Sequence, residues 1–209
     1  MKYDQYRHDH DKRFGTKIQW ILKFQKFWQS DLNRWMLEIA EPSRGERAVD
    51  VGAGMGPATV QAAKRGTDVL AVDPSRIMRT VLSLRRVLQR SRVHITVAAG
   101  VAESLPVEDK SVDVLWTVNA LHHWVDLSAA FDELARVLVY GGRIVLVDED
   151  FTHPDHPLHA THHGHEGETT IVDVVEIENA LDERGFTVDG SKTSAYGVPV
   201  KLIQATYMG

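Results

Sequence analysis

The sequence predicts an α/β fold in which helices cover both faces of a doubly wound sheet. In residues 46–60 a short apolar run ends in a carboxylate and breaks into three glycines before an Ala-rich helical pattern begins. Residues 68–73 form a second apolar run, at the spacing of a strand–helix–strand unit. Strand and helix patterns then alternate to residue 148, which is typical of a parallel sheet.

Each later element has its own local signal. Ser75 is the expected N-cap of a helix whose inward stripe is predicted to be Ile77, Val81, Leu84 and Leu88, with its arginines facing solvent. Asp126 should cap a helix that runs through Leu138 to a Gly-Gly stop, and Asp173 with Glu176 forms a capping box for the last helix. The remaining strands are expected over residues 93–99, 111–118, 143–148, 186–196 and 200–207.

Composition narrows the class of protein. With 209 residues and 43% apolar residues, the chain can bury a substantial core, and it carries no apolar run long enough to cross a membrane. The absence of cysteine excludes disulfides, thiolate metal sites and a cysteine nucleophile. A net charge of −5 offers no overall attraction to a nucleic-acid backbone, so a small or neutral partner is favoured. With no apolar segment behind a basic start, the expected location is the cytoplasm.

The glycine loop indicates a ligand. Gly52, Gly54 and Gly56 lack Cβ atoms, so the backbone can turn sharply and lie directly against a bound group. The dinucleotide fingerprint Gly-x-Gly-x-x-Gly would need glycine where Pro57 stands, and the chain has no Tyr-x-x-x-Lys pair, which disfavours a nicotinamide oxidoreductase. Asp50, just before the turn, would repel a pyrophosphate and attract an ammonium group, so the loop favours a cationic ligand.

A second carboxylate completes the motif. Asp73 ends the next strand, at the position where an acidic residue accepts hydrogen bonds from ribose hydroxyls. The run acidic-x-Gly-x-Gly-x-Gly from Asp50 to Gly56, followed by Asp73, resembles the class I S-adenosylmethionine-dependent methyltransferases. The resemblance implies a Rossmann-like sheet of seven strands, mostly parallel, with one antiparallel strand near the C-terminus. It also implies S-adenosyl-L-methionine as cofactor and a methyltransferase activity.

The resemblance assigns cofactor contacts along the edge of the sheet. Asp50 would bind the amino group, the glycine loop the methionine portion, and Asp73 with the adjoining Pro74 the ribose. An acidic residue often contacts the adenine in this family, but Val101 stands at its position, so the Ala102 N–H or the Glu103 carboxylate would read the base instead. The full predicted set is Asp50, Gly52, Ala53, Gly54, Gly56, Asp73, Pro74, Ala102, Glu103, Asn119 and Leu121.

Candidate catalytic residues follow the fourth strand. Asn119-Ala-Leu-His-His-Trp124 lies where open α/β sheets bind their ligands. It lacks the Pro-Pro-Tyr or Pro-Pro-Phe motif of enzymes that methylate amide or adenine nitrogens, and it looks more like small-molecule methyltransferases of the quinone-biosynthesis and sterol types. His122 or His123 could act as a base, because imidazole titrates near neutral pH. The alternative is that one of them caps a helix or packs beneath the cofactor.

Residues 1–42 are expected to stand apart from the cofactor-binding domain, residues 43–209. Residues 3–14 are polar and are either a disordered terminus or an arm that closes over the site through Tyr6 or Arg13. Residues 18–39 carry a helical apolar period, and half of the aromatic residues precede Pro42. Most of these aromatic residues are expected in the core, and some are expected to line a substrate pocket as part of a lid. A membrane-surface helix is the alternative for this segment, although its basic face is small.

The segment from 153 to 165 carries six of the eleven histidines. Prolines and glycines interrupt it, and no fixed His-x-x-x-His spacing supports zinc geometry, so no metal ligand is assigned and a polar loop over the substrate entrance is favoured. A non-catalytic protein of the same fold, binding S-adenosylmethionine or a metal through this loop, is the alternative to an enzyme.

Overall fold

The computed structural model describes residues 31–89, 94–156 and 173–209. The predicted arm over residues 3–14, the part of the periodic segment before Asp31, and the histidines after His156 lie outside these ranges. None of the helices within them is long and apolar enough to span a bilayer.

The described elements alternate as the sequence predicts. The helices are α1 (Asp31–Ala40), α2 (Pro57–Lys64), α3 (Arg76–Leu88), α4 (Leu127–Val137) and α5 (Val174–Asp182), with a 3₁₀ turn at Leu121–His123. The strands are β1 (Arg47–Val51), β2 (Asp68–Val72), β3 (Ile95–Ala98), β4 (Val112–Val118), β5 (Leu138–Glu149), β6 (Phe186–Ala195) and β7 (Val198–Tyr207).

The strands form one sheet in the order β3-β2-β1-β4-β5-β7-β6. Strands β1 to β5 pair in parallel, and β7 runs antiparallel to both of its neighbours. The prediction of a mostly parallel seven-stranded sheet with one antiparallel strand is therefore confirmed for the described residues. The chain winds outward through β2 and β3 and then returns to place β4 beside β1. The strand order reverses at that point, which is where such sheets bind ligands.

Side chains of β1 alternate between two apolar layers. Ala48 lies in the layer that packs against α1 and α2, whereas Val49 and Val51 lie in the layer that packs against α4 and α5. Because strand side chains alternate with period two, Asp50 shares the face of Ala48 and points toward α2.

Helix α3 packs through a different face from the one predicted. Leu84 and Leu88 are 60% and 70% exposed, and the buried residues are Met78, Leu82 and Arg85. The reason is a polar contact: Arg85 Nη1 donates to the Met55 carbonyl oxygen at 3.0 Å, which turns this side of the helix toward the glycine loop. Burial lowers the pKa of Arg85 to about 10, so the guanidinium remains charged at neutral pH.

The predicted caps are found where they were expected. Ser75, Asp126 and Asp173 accept hydrogen bonds from the first-turn amides of α3, α4 and α5. Helix α4 nevertheless ends at Val137, earlier than predicted, because Leu138 already pairs with Val112 in the sheet.

Candidate functional site

The loop between β1 and α2 holds three glycines with left-handed backbones. Their φ angles are +70° at Gly52, +53° at Gly54 and +71° at Gly56. A Cβ atom at Gly52 would lie 2.5 Å from the Ala120 Cβ, and one at Gly56 would overlap the Leu82 side chain. At Gly54 no atom of the described residues lies within 4 Å of that position. Neighbouring side chains therefore leave no room for a Cβ atom at Gly52 or Gly56. At Gly54, in contrast, the described residues leave open space.

Asp50 is a buried carboxylate beneath the start of α2. Its Oδ2 accepts a hydrogen bond from Thr59 Oγ1 at 2.5 Å, and in the sheet it lies beside Trp116. Burial raises the pKa of Asp50 to about 6, and the Thr59 hydroxyl offsets part of that rise. A cation bound nearby would favour the ionised form, so the site is suited to an ammonium group.

The raised pKa of Asp50 makes a testable contribution to stability. Because the folded state holds this proton more tightly than the unfolded chain, the contribution is present below the ordinary Asp pKa of about 3.9 and is lost as pH rises to about 6. We expect the free energy of unfolding of the wild type, relative to Asp50→Asn, to fall by roughly 2–3 kcal/mol between pH 4 and pH 7. Urea unfolding of both proteins at each pH measures the difference, and a difference that stays constant or grows with pH would contradict the assignment.

Asp73 ties the end of β2 to the glycine loop. It is buried, and its Oδ2 accepts a hydrogen bond from the Gly54 N–H at 2.8 Å while its Oδ1 accepts one from the Ser75 N–H at 2.8 Å. Arg79 Nη1 donates to the carbonyl oxygens of Asp73 and Pro74, both at 2.7 Å. The structure therefore brings Asp73 and Pro74 to the loop that carries Gly54.

The turn after β3 carries the residues predicted to read the adenine. Ala102 and Leu105 are buried, and Glu103 Oε1 accepts hydrogen bonds from the amides of Val125 and Asp126, at 2.8 and 3.1 Å. The second oxygen of Glu103 is also buried, and it has no hydrogen-bond partner in the described part of the chain. A buried carboxylate oxygen of this kind is a ready acceptor for a ligand N–H.

Asn119 connects the ends of β4 and β5. Its backbone is left-handed, with φ +53°, its Nδ2 donates to Glu149 Oε1 at 2.6 Å, and its Oδ1 accepts the Glu149 N–H at 2.8 Å. Leu121 is buried in the main core. Both polar atoms of the Asn119 side chain therefore bind Glu149 in this structure. The cofactor contacts of Asn119 and Leu121 remain predictions.

The two candidate bases have different surroundings. His122 Nδ1 lies 2.6 Å from Asp148 Oδ1, and the His122 N–H donates to Asp148 Oδ2 at 3.0 Å. His123 is exposed, and its ring centroid lies 4.0 Å from that of His122. Sequence reasoning did not identify Asp148 as a partner. The available signal was a carboxylate near the end of β5, which is adjacent to β4 at the same edge.

The first residues of the histidine-rich segment lie at the same edge of the sheet, beside the end of β5. His156 is buried, its Nε2 lies 3.0 Å from Glu149 Oε2, and its ring meets Phe151 edge-on. Across the described ranges, no three His, Asp or Glu side chains are grouped in a way that could hold a metal ion. His153 and His156 therefore form no metal centre with other described residues.

Sequence relatives point to one family. A protein-family model described as a methyltransferase domain matches residues 49–146. An uncharacterized methyltransferase of Mycobacterium tuberculosis is 37% identical over 142 residues, which cover 68% of this chain and 54% of that protein. A demethylmenaquinone methyltransferase of Paenarthrobacter aurescens is 33% identical over 124 residues, which cover 58% of this chain and 46% of that protein. The chain spans about half the length of the curated relatives it matches.

Solved structures share the fold. A SAM-dependent methyltransferase from Aquifex aeolicus superposes with a TM-score of 0.71 at 17% identity, covering 89% of this chain and 97% of that one. The YcgJ protein from Bacillus subtilis superposes with a TM-score of 0.72 at 20% identity, covering 85% of this chain and 98% of that one. Together, the family model and the relatives identify residues 49–146 as a methyltransferase domain, and the solved structures show that the chain has the fold of a SAM-dependent methyltransferase.

Proposed function

We propose that the chain binds S-adenosylmethionine at the carboxyl edge of β1, β2 and β4 and transfers its methyl group to a small molecule. The observation that carries this proposal is the open face of Gly54, whose N–H donates to the buried Asp73 and whose loop begins just after the buried Asp50. That arrangement leaves room for a ligand at the one loop glycine that no described neighbour fills, and it provides acceptors for both an ammonium group and a ribose.

The residues at this edge fit each part of the cofactor. Asp50 would hold the amino group directly or through water, and the loop from Gly52 through Ala53 and Gly54 to Gly56 would hold the methionine portion. Asp73, followed by Pro74, would bind the ribose hydroxyls. The Oε2 of Glu103, which has no hydrogen-bond partner among the described residues, would accept a hydrogen bond from the adenine amino group, with Ala102 beside it. Asn119 and Leu121 would complete the site from β4.

The cofactor supplies an electrophilic methyl group on a positively charged sulfur. The contribution of the protein is to hold the acceptor in line with that methyl group and to exclude water from the reacting atoms. The carboxyl edge of β4 is the natural position for the acceptor, because it lies directly beside the glycine loop in the sheet.

A small organic acceptor agrees best with the chain. The net charge of −5 gives no attraction to nucleic acid, and the segment after β4 lacks the Pro-Pro-Tyr type of motif. The relative from Paenarthrobacter aurescens is named for demethylmenaquinone, a small-molecule substrate. These observations favour a small molecule over a nucleic acid.

Gly54→Ala tests the proposed cofactor site. The added methyl group would project into the space reserved for the ligand, so we expect the affinity for S-adenosylmethionine to fall by at least tenfold in isothermal calorimetry. Alanine at this φ also costs roughly 1–2 kcal/mol of stability.

Gly141→Ala is the matched control. Gly141 has φ +76° with no described atom within 4 Å of its Cβ position, and it lies between the paired residues Leu138 and Arg143 near the amino end of β5, away from the carboxyl edge of the sheet. It should carry a similar backbone penalty and leave the affinity unchanged. If the two variants bind alike, or if the wild type ignores S-adenosylmethionine at millimolar concentration, the proposed site is wrong.

A further inference from the structure

One carboxylate holds His122 at two points. Asp148 Oδ2 accepts the backbone N–H of His122 at 3.0 Å, and Asp148 Oδ1 lies 2.6 Å from the ring Nδ1. Asp148 is 2% exposed and lies on β5, next to the strand that leads to His122. The imidazole side chain keeps 17% of its surface exposed. The ring is thus anchored at one nitrogen by a buried group and reachable from outside.

This geometry selects the tautomer of the ring. An ionised carboxylate can only accept hydrogen bonds, so in the neutral imidazole Nδ1 carries the proton that Asp148 Oδ1 accepts. Nε2 then keeps its lone pair. A neutral imidazole with a free Nε2 and an oriented Nδ1–H is the form that a general base requires.

The described neighbours of this pair have contacts of their own. Glu149, the next residue on β5, is engaged by Asn119 and His156. Phe151 meets the His122 ring edge-on at 6.0 Å between centroids, and the tilted His123 ring lies 4.0 Å from it. Asp148 is therefore the carboxylate that sets the orientation of His122.

We infer that His122 is the proton acceptor of the methyl transfer, that Asp148 is its positioning residue, and that the methyl acceptor is a hydroxyl or carbon acid of phenolic or enolic type. This inference rests on the proposed function. A neutral amine attacks through an existing lone pair, whereas a hydroxyl or carbon acid becomes a strong nucleophile only as its proton leaves. A histidine base held in a fixed tautomer can remove this proton from a hydroxyl or carbon acid.

The proposed step is balanced in atoms and electrons. The acceptor oxygen or carbon forms a bond to the methyl carbon, and the sulfur–methyl bond breaks with its electron pair remaining on sulfur as a neutral thioether. The acceptor proton moves to Nε2 of His122. The resulting imidazolium is paired with the Asp148 carboxylate, so the positive charge lost from sulfur appears beside a buried anion.

Asp148→Asn tests this role with almost no change in volume. The His122 backbone N–H still needs an acceptor, so the amide oxygen of the introduced side chain must face it and the amide NH₂ must face Nδ1. A donor at that place requires a lone pair on Nδ1, which moves the proton to Nε2. The variant should keep the fold and reverse the tautomer, and thereby remove the base.

The measurement is the imidazole ¹⁵N NMR spectrum at pH 9, with His122→Gln to assign the signals. We expect the Nδ1–H tautomer in the wild type and in Glu149→Gln, and the Nε2–H tautomer in Asp148→Asn. An Nε2–H tautomer in the wild type, or an unchanged one in Asp148→Asn, overturns the positioning role. A purely structural role of Asp148 would broaden or shift many signals without reversing this tautomer.

Two further readouts separate this inference from the proposed function. Calorimetry with S-adenosylmethionine should give the same affinity for the wild type and Asp148→Asn, whereas no binding to either protein defeats the proposed function itself. Tritiated methyl transfer to a panel of a catechol, a hydroxyquinone, a 1,3-diketone and a primary amine should label the first three classes. The rate should fall at least a hundredfold in Asp148→Asn. Labelling of the amine alone, of none of the four, or at an unchanged rate in the variant overturns the inference.

Discussion

Asp73→Ala should weaken the binding of S-adenosylmethionine roughly five- to 150-fold, which corresponds to about 1–3 kcal/mol. The carboxylate would accept charge-assisted hydrogen bonds from the ribose hydroxyls. It also accepts the Gly54 N–H at 2.8 Å, so its removal loosens the loop that faces the ligand. Isothermal calorimetry measures the loss directly, and thermal unfolding of the same samples shows that the variant is folded.

Asp68→Ala is the matched control for this experiment. Asp68 is a carboxylate at the other end of the same strand, is exposed, and lies 2.6 Å from His94 Nδ1. Its removal should leave the affinity for the cofactor within about twofold of the wild type. Equal affinities for the wild type and Asp73→Ala would remove Asp73 from the site.

Gly56→Ala should destabilise the fold by roughly 2–5 kcal/mol. A Cβ atom there overlaps the Leu82 side chain of α3, and overpacking of this kind costs roughly 1–3 kcal/mol. The backbone has φ +71°, which costs an alanine roughly 1–2 kcal/mol more. Urea unfolding gives the difference in the free energy of unfolding.

Two variants separate the clash from the backbone strain. Gly141→Ala carries a comparable φ with no described neighbour near its Cβ position, so it should lose only the strain part. The double variant Gly56→Ala with Leu82→Ala should be more stable than the sum of its single variants predicts, because the truncated residue no longer meets the new methyl group. Strict additivity of the two losses would show that the overlap with Leu82 is not the cause.

Local sequence signals were sufficient to predict much of the fold. The caps at Ser75, Asp126 and Asp173 are short-range features, in which a side chain binds amides one turn ahead, and all three were predicted. The buried face of α3 was not, because Arg85 binds the carbonyl of Met55, thirty positions away. Hydrophobic periodicity gives no information about a buried cation of this kind.

The candidate site was also predictable from the sequence only in part. Asp50, the loop glycines and Asp73 could be grouped from the order of residues alone, because the carboxyl ends of adjacent parallel strands meet at one edge of the sheet. The sequence did not show which of these glycines has space beside it among the described residues. The three glycines share one backbone conformation, and they differ only in whether Ala120, Leu82 or open space lies opposite them.

By itself, the order of amino acids determined the doubly wound class, the glycine loop and the two strand-end carboxylates, because each depends on contacts within a turn or on the periodicity of a single element. Only the tertiary structure decided which histidine is held by a carboxylate. His122 and His123 are chemically equal neighbours in the chain, and what separates them is a buried carboxylate on β5 that reaches one ring and its backbone amide together.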